Sequence, residues 1–253
     1  MAASLTAAHQ LRSPLAWLQG EAESLCAQTA GPLNPQQLAI ARQIAGTCMR
    51  MQRIVEDCFA YDRLESGETS FQPQLADLDA LMRELAAAWV PAFDKKSVRL
   101  LVRAEGRLAP FSCDAHKLLR VFSALLENAL KFTPGGGETA LSWQPCLWTH
   151  AQQTSPAACI RVRDTGIGIA PENQLDIFEP FVSFSGCDAT PDNTAESGSQ
   201  GFRRRRDDTA PGLGIGLGLA LARRLVQWHG GKIWVESTLN HGSTFSVMLP
   251  LRP

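Results

Sequence analysis

The sequence predicts an α+β protein in two parts. The first is an antiparallel helical hairpin that completes itself as the four-helix bundle of a dimer. The second is an α/β sandwich with a mixed sheet. Three observations carry this reading. Two long stretches before Gly67 repeat their apolar residues in steps of three and four. Beyond Gly67, short strand-like apolar runs alternate with amphipathic helical runs. The composition is that of a globular chain: 253 residues, 45% hydrophobic and 19% charged, enough for one large domain or two small ones.

The elements follow in order. Residues 4–28 read as a helix whose seam is Ser4, Ala8, Leu11, Leu15, Leu18, Ala22 and Leu25. That is a heptad repeat, the mark of a bundle rather than a lone surface helix. TAGPLN (29–34) is a loop, and Asn34 caps a second helix with Pro35 in its first turn, where a missing N–H does no harm. The second seam is Ala41, Ile44, Cys48, Met51, Val55 and Cys58, and Gly67 is the expected stop. Two seams exceed what one hairpin can bury, so a homodimer is expected. Residues 78–92 then read as a helix, 98–102 as a strand, and 115–132 as a helix preceded by Asp114. Short strands are expected at 139–144 and 159–163, a helix at 216–229, and a hairpin of 232–237 with 243–249. Residues 183–212 are rich in Gly, Ser, Asp, Thr and Pro and carry Arg203 to Arg206. They read as a long mobile loop.

Composition excludes several classes. Lys plus Arg is 24 and Asp plus Glu is 25, so the net charge of −1 offers no basic excess for nucleic acid. No run of ~18 apolar residues predicts a membrane segment. The first residues lack the basic segment and apolar core of a secretory signal. Seven cysteines, an odd number without a CxxC pair, favour a reduced, cytoplasmic setting over a disulfide framework or zinc ribbon. The five histidines form no HExxH pattern.

Three glycine-containing or helix-ending stretches stand out: ENALKFTP (127–134), DTGIGI (164–169) and GLGIGLGLA (212–220). None is a dinucleotide fingerprint, because positions 217 and 219 are Leu where GxGxxG needs Gly. None is a Walker A loop, since Lys232 is followed by Ile233 and position 226 is Val. A glycine turn feeding a helix N-terminus still presents free N–H groups to an anion.

With HQLRSPL (9–15), LLENALKFTP, DTGIGI, IFEPF (177–181) and GIGLGLA in this order, the chain resembles the sensor histidine kinases. The five stretches are similar to that family's H, N, first glycine, F and second glycine boxes. The resemblance implies a dimerisation and phosphoacceptor hairpin over residues 1–67. It also implies a catalytic ATP-binding domain over 68–253, of the fold shared with gyrase, Hsp90 and MutL, with a long ATP lid at about 182–213. It assigns His9 as the phosphoacceptor, Asp164 to the adenine amino group, Asn128 to Mg²⁺ and Lys131 to a phosphate. Gly166 and Gly168 would leave room for the ring, and Gly214, Gly216 and Gly218 would bring N–H groups to the phosphates. The partners implied are a second copy of the chain and a response-regulator receiver domain. The residues agree in part. His9 lies one position off the seam, on the expected solvent flank, and neutral imidazole is nucleophilic near neutral pH. Pro14 removes an N–H and is expected to bend the helix beside it.

The chain departs from the family at four places. Gln10 stands for the usual Glu or Asp, and it can accept a hydrogen bond but is no base at neutral pH. Ser13 stands for Thr or Asn, Ala124 for Asn, and Ile215 for Thr or Ser. Ala124 also lacks the carboxylate that related ATPases use to activate water, which disfavours ATP hydrolysis as the main activity. The reading is therefore an ATP-dependent protein histidine kinase core of a two-component system, either the cytoplasmic part of a membrane-bound sensor or a soluble kinase. The alternative from another class is a degenerate, nucleotide-binding dimeric scaffold that modulates a partner without efficient autophosphorylation.

Overall fold

The computed structural model describes residues 2–29, 31–150, 153–185, 203–205 and 216–251. The chain divides into two compact units, Met1–Thr69 and Ser70–Pro253.

The first unit pairs helices α1 (Ala2–Cys26) and α2 (Pro35–Glu65). Helix α1 stops two residues before the expected end, because Gln28 turns left-handed at φ 56°. At the start of α2, Asn34 accepts from Gln37 N while the Gln37 side chain accepts from Asn34 N, a reciprocal capping box. Gly67, at φ +72°, ends it in the left-handed region. The Arg63 carbonyl then accepts from both Glu68 N and Thr69 N. The seam is split. Leu15 and Ala22 are buried with Ala41, Cys48 and Val55, whereas Leu11, Leu18, Leu25, Ile44 and Met51 are exposed. Leu15 is 4% exposed and Leu18, three residues on, is 44%. One hairpin thus buries one edge of each seam and leaves the other edge bare.

Among the described residues, the second unit is built on a five-stranded sheet and three α-helices. Strands β2 (Arg99–Ala104), β4 (Glu138–His150), β5 (Gln153–Asp164), β8 (Lys232–Thr238) and β9 (Gly242–Pro250) lie in the order β2-β4-β5-β9-β8. Only β2 and β4 run parallel. Helices α3 (Leu78–Lys95), α4 (Ala115–Phe132) and α5 (Gly218–Trp228) supply the core side chains Met82, Phe93, Leu118, Phe122, Leu125 and Leu221. These share the interior with Leu141, Trp143, Ile160 and Val247 of the sheet. The buried positions of α4, 118, 121, 122, 125, 126 and 129, follow the three-and-four spacing of an amphipathic helix.

Several expectations need correction. Helix α3 runs to Lys95 rather than 92, through Pro91, because the next turn carries the fully buried Phe93. Strands β4 and β5 run well beyond 139–144 and 159–163, as far as the pair His150↔Gln153. Pro145 and Pro156 look like strand breakers in the sequence. Pro145 lies past the last β2–β4 pair, Ala104↔Trp143, on the free edge of β4, and Pro156 lies past the last β5–β9 pair, Ala157↔Pro250; a proline is tolerated at such edges. Helix α5 begins at Gly218 rather than 216, since Gly216 is at φ +72°. Two short strands were not expected, β1 (Gln74–Ala76) and β3 (Phe111–Cys113), which pair with each other. The stretch 183–212 is not wholly irregular: β6 (Ser183–Ser185) and β7 (Arg203–Arg205) pair antiparallel within it. Among the described residues, no helix is long and apolar enough to cross a membrane.

Candidate functional site

The second unit gathers most of the candidate residues around the end of β5. Asp164 is its last residue and is 4% exposed. Its Oδ1 accepts from Gly166 N at 2.8 Å and from Ser243 N at 3.3 Å. Both bonds fall on one oxygen, which leaves Oδ2 as the acceptor for another donor. Burial pushes the carboxyl pKa above its ordinary value, against the two backbone bonds that pull it down.

The glycine turn after Asp164 is fastened on three sides. Ile167 N donates to the Phe132 carbonyl at the end of α4 (3.3 Å), and Asn240 N in the β8–β9 turn donates to the Ile167 carbonyl (2.7 Å). Ile169 N donates to Ser237 Oγ of β8 at 2.8 Å. A Cβ on Gly166 would sit 2.6 Å from the Phe132 carbonyl oxygen and 2.7 Å from Asp164 Oδ1. On Gly168, at φ +69°, it would strike the Thr238 carbonyl. The contacts that exclude side chains at these two glycines come from the protein's own chain.

Helix α4 borders the same turn. Asp114 caps it, and its buried face fixes the outward one, where Asn128 and Lys131 lie three residues apart and half-buried. Lys131 Nζ lies 4.9 Å from the centroid of the Phe132 ring. The carbonyls that end α4 are not left open: Lys96 Nζ donates to Leu130 O (2.7 Å) and Lys131 O (2.8 Å). Burial lowers the Lys96 pKa.

Of the second glycine stretch, Gly214 lies outside the described residues. Gly216 packs on the backbone of Val182, where a Cβ would sit 2.6 Å from Val182 N, so the residues flanking the 183–215 stretch meet there. Gly218 opens α5, and a Cβ added to it would meet only the Ala124 methyl, at an ordinary 3.8 Å. In the F-box-like stretch, Ile177 and Phe178 are buried and the Phe178 ring meets Phe245 edge-on.

In the first unit His9 and Gln10 lie on α1, whose described side chains begin at Leu11. Ser13 is exposed and Pro14 lies inside the helix. Arg12 holds its guanidinium 4.8 Å from the ring centroid of the buried Phe59, which ties α1 to α2 beside these residues. Ser243, Ser237, Lys96 and Phe59, under the Arg12 guanidinium, lie outside the sequence motifs. Ser243 had a local signal, as the residue after Gly242 in the closing hairpin, whereas Lys96 caps a helix 34 residues away and had none.

Residues 113–253 match the family described as histidine kinase-, DNA gyrase B- and HSP90-like ATPase, and residues 5–67 match the His Kinase A (phospho-acceptor) domain. The sensor histidine kinase RppB of Synechocystis sp. is 30% identical over 246 residues, 97% of this chain and 48% of RppB. The circadian input-output histidine kinase CikA of Synechococcus elongatus is 28% identical over 247 residues, 97% of this chain and 29% of CikA. The adaptive-response sensory kinase SasA of Microcystis aeruginosa is 28% identical over 248 residues, covering 96% of this chain and 57% of SasA. The chain therefore spans between 29% and 57% of these relatives' lengths. Full-length ShkA in complex with AMPPNP shares the fold with a TM-score of 0.72 at 23% identity, over 99% of this chain and 46% of ShkA. The histidine kinase AdeS of Acinetobacter baumannii does so at 0.58 and 19%, over 97% of this chain and 98% of AdeS.

Proposed function

The chain belongs to the histidine kinase-, DNA gyrase B- and HSP90-like ATPases and, with a phospho-acceptor domain ahead of that module, to the sensor histidine kinases; on that premise we propose that it phosphorylates His9 from ATP and passes the phosphoryl group to an aspartate of a response-regulator receiver domain. The observation that carries the reading is the pairing of two features in one chain. His9 lies within the matched phospho-acceptor residues, and a buried carboxylate with one committed oxygen, Asp164, lies within the matched ATPase residues.

The donor set fits an amino-bearing base. A buried carboxylate oxygen calls for a hydrogen-bond donor, and Asp164 Oδ2 would accept from the adenine amino group. Among the described residues no group of three or more His, Cys, Asp or Glu could hold a metal. Mg²⁺ would then depend on few protein oxygens, Asn128 among them, as a phosphate-bound Mg²⁺ does. Lys131 would neutralise phosphate charge, and Gly214, Gly216 and Gly218 would offer backbone N–H groups. When bound, Mg-ATP supplies the phosphoryl group and its charge neutralisation. His9 would form the N–P bond with one ring nitrogen as the bond to ADP breaks, and Gln10 would hold the imidazole through its amide oxygen. Ser13 would support dephosphorylation of the receiver-domain aspartate through its hydroxyl.

Dimerisation is part of the proposal. The bare edge of each seam, Leu11, Leu18, Leu25, Ile44 and Met51, is what a second hairpin would cover to close a four-helix bundle.

The test is incubation of the purified chain with labelled ATP and Mg²⁺. The expected product is acid-labile, alkali-stable phosphate that disappears in His9→Ala. ATP binding with no such label would overturn the reading.

A further inference from the structure

The start of the second unit is held by a small polar cluster that the proposed chemistry does not use. Lys117 Nζ donates to the Ser70 carbonyl at 2.8 Å and forms an ion pair with Asp114. Asp114 Oδ2 accepts from Gln72 N at 3.2 Å, while its Oδ1 caps α4 through Lys117 N. Asp114 N donates to His229 Nε2 at 3.1 Å. The other ring nitrogen, Nδ1, faces the Leu225 carbonyl at 2.7 Å and must donate to it, so the imidazole is neutral with its lone pair on Nε2. The Phe71 ring meets His229 edge-on at 4.8 Å. Three successive residues, 70 to 72, are each fixed: one by its carbonyl, one by its ring, one by its N–H.

The cluster is well placed to matter beyond folding. On the hairpin side, the Arg63 carbonyl already takes Glu68 N and Thr69 N. The chain joining the two units is thus bonded to the first up to Thr69 and to the second from Ser70. Asp114 and Lys117 are buried or nearly so, with side chains 6% and 19% exposed. An ion pair there is far less screened than a surface pair.

We propose that Lys117, Asp114 and His229 are positioning residues for phosphoryl transfer: they clamp residues 70–72 and so keep short the connector along which the ATP-binding unit must reach His9. The proposal rests on the kinase reading. Loss of the clamp frees residues 70–73, the last before β1; counted along the chain from the end of α2, the stretch between the units' fixed elements then grows from four residues, which keep their bonds to the hairpin, to eight. Doubling a flexible connector lowers effective concentration by about threefold, as the −3/2 power of its length.

The experiment compares the unmodified chain, Lys117→Met, Lys117→Arg and an insertion of Gly-Ser-Gly-Ser between Thr69 and Ser70. Each is read by single-turnover labelling of His9 at saturating Mg-ATP, by calorimetric ATP affinity and by amide hydrogen exchange. The expected result is an about threefold slower labelling in Lys117→Met and in the insertion. ATP affinity stays unchanged, the rate is restored in Lys117→Arg, and exchange at Phe71 and Gln72 is faster in Lys117→Met only. The insertion leaves the clamp intact and keeps the test decisive if Lys117→Met folds poorly. Equal labelling rates in the unmodified chain and the insertion overturn the proposal. So does a loss of ATP affinity in Lys117→Met that matches its loss of rate. Absence of label in the unmodified chain overturns the kinase reading itself, a distinct outcome.

Discussion

Asp164→Asn separates what the carboxylate does for the fold from what it does for a ligand. The Asn amide oxygen can keep the bonds from Gly166 N and Ser243 N. The atom at the Oδ2 position becomes an NH2, a donor facing another donor on the base. A hydrogen bond to a charged group contributes about 1.5–3 kcal/mol, so ATP affinity should fall about 10- to 150-fold. At an ATP concentration about 100 times Kd, the unmodified chain gains about 2.7 kcal/mol from binding, and a variant about 100-fold weaker gains about 0.4 kcal/mol. Without ATP the sign reverses. Burial raises the Asp164 pKa, so the folded state holds a proton more tightly than the unfolded state. Stability therefore declines as pH rises from the unfolded pKa through the folded one, and it stays lowered above that window. Asn carries no such penalty. The expected signature at neutral pH is crossed: a higher melting temperature without ATP and a nearly lost ATP-dependent shift. Scanning calorimetry with and without ATP, with titration calorimetry for affinity, reads both arms. Full ATP affinity in the variant refutes the base-recognition argument, and a lower melting temperature without ATP refutes the burial argument.

Leu18→Glu, on the bare edge of the seam, should give a monomer that keeps its helicity. Leu15→Ala, on the buried edge, should cost about 2–5 kcal/mol; light scattering and circular dichroism check the pair, and a dimeric Leu18→Glu counts against the bundle. Gln10→Glu should speed autophosphorylation toward the ~10²-fold expected of general-base assistance at unchanged ATP affinity, and equal single-turnover rates would show that Gln10 is no handicap. Gly168→Ala should destabilise the second unit, because the new methyl meets the Thr238 carbonyl at a left-handed φ. Gly218→Ala, whose methyl would meet Ala124 at an ordinary contact distance, should leave the unfolding free energy from urea melts within about 1 kcal/mol of the original. Burial lowers the His229 pKa against the raising influence of Leu225, Asp114 and their bonds. As pH falls below about 6.5, the unfolded chain gains a proton that the folded chain refuses, so stability should drop. His229→Gln should flatten that drop below about pH 6.5, and parallel pH profiles of unfolding free energy for the two chains contradict it.

Elements with a long enough period were legible in the sequence. Helix α4 announces itself by its cap at Asp114 and six buried positions at three-and-four spacing. The closing strands β8 and β9 have their turn between them. Strands β1 and β3 were not legible because three residues cannot display a period, and Gln74 and Leu75 are exposed. Strand β7 hides in a run of arginines, its pairing set by register against Ser183 to Ser185 rather than by any apolar pattern. The split of the heptad seams was also invisible, since Leu15 and Leu18 look alike until a partner helix takes one side. In the candidate site, Asp164 and the glycines stood out by residue type and order. The groups that hold them in place did not. Ser243, Ser237 and Phe132 act mainly through backbone atoms or a lone hydroxyl supplied from remote strands and helix ends, which no local pattern records.

The split seam has a consequence for supply. On the dimeric reading, a hairpin with one bare edge has no complete core of its own, so its stability contains a term in the amount of chain present. A tenfold dilution removes about 1.4 kcal/mol from that term. A cell making few copies keeps a larger share of hairpins with Leu11, Leu18, Ile44 and Met51 in water. Chaperones and proteases act on chains that leave such apolar edges exposed. On that reading scarcity would shorten the lifetime of each molecule, and the amount of dimer would fall more steeply than synthesis does.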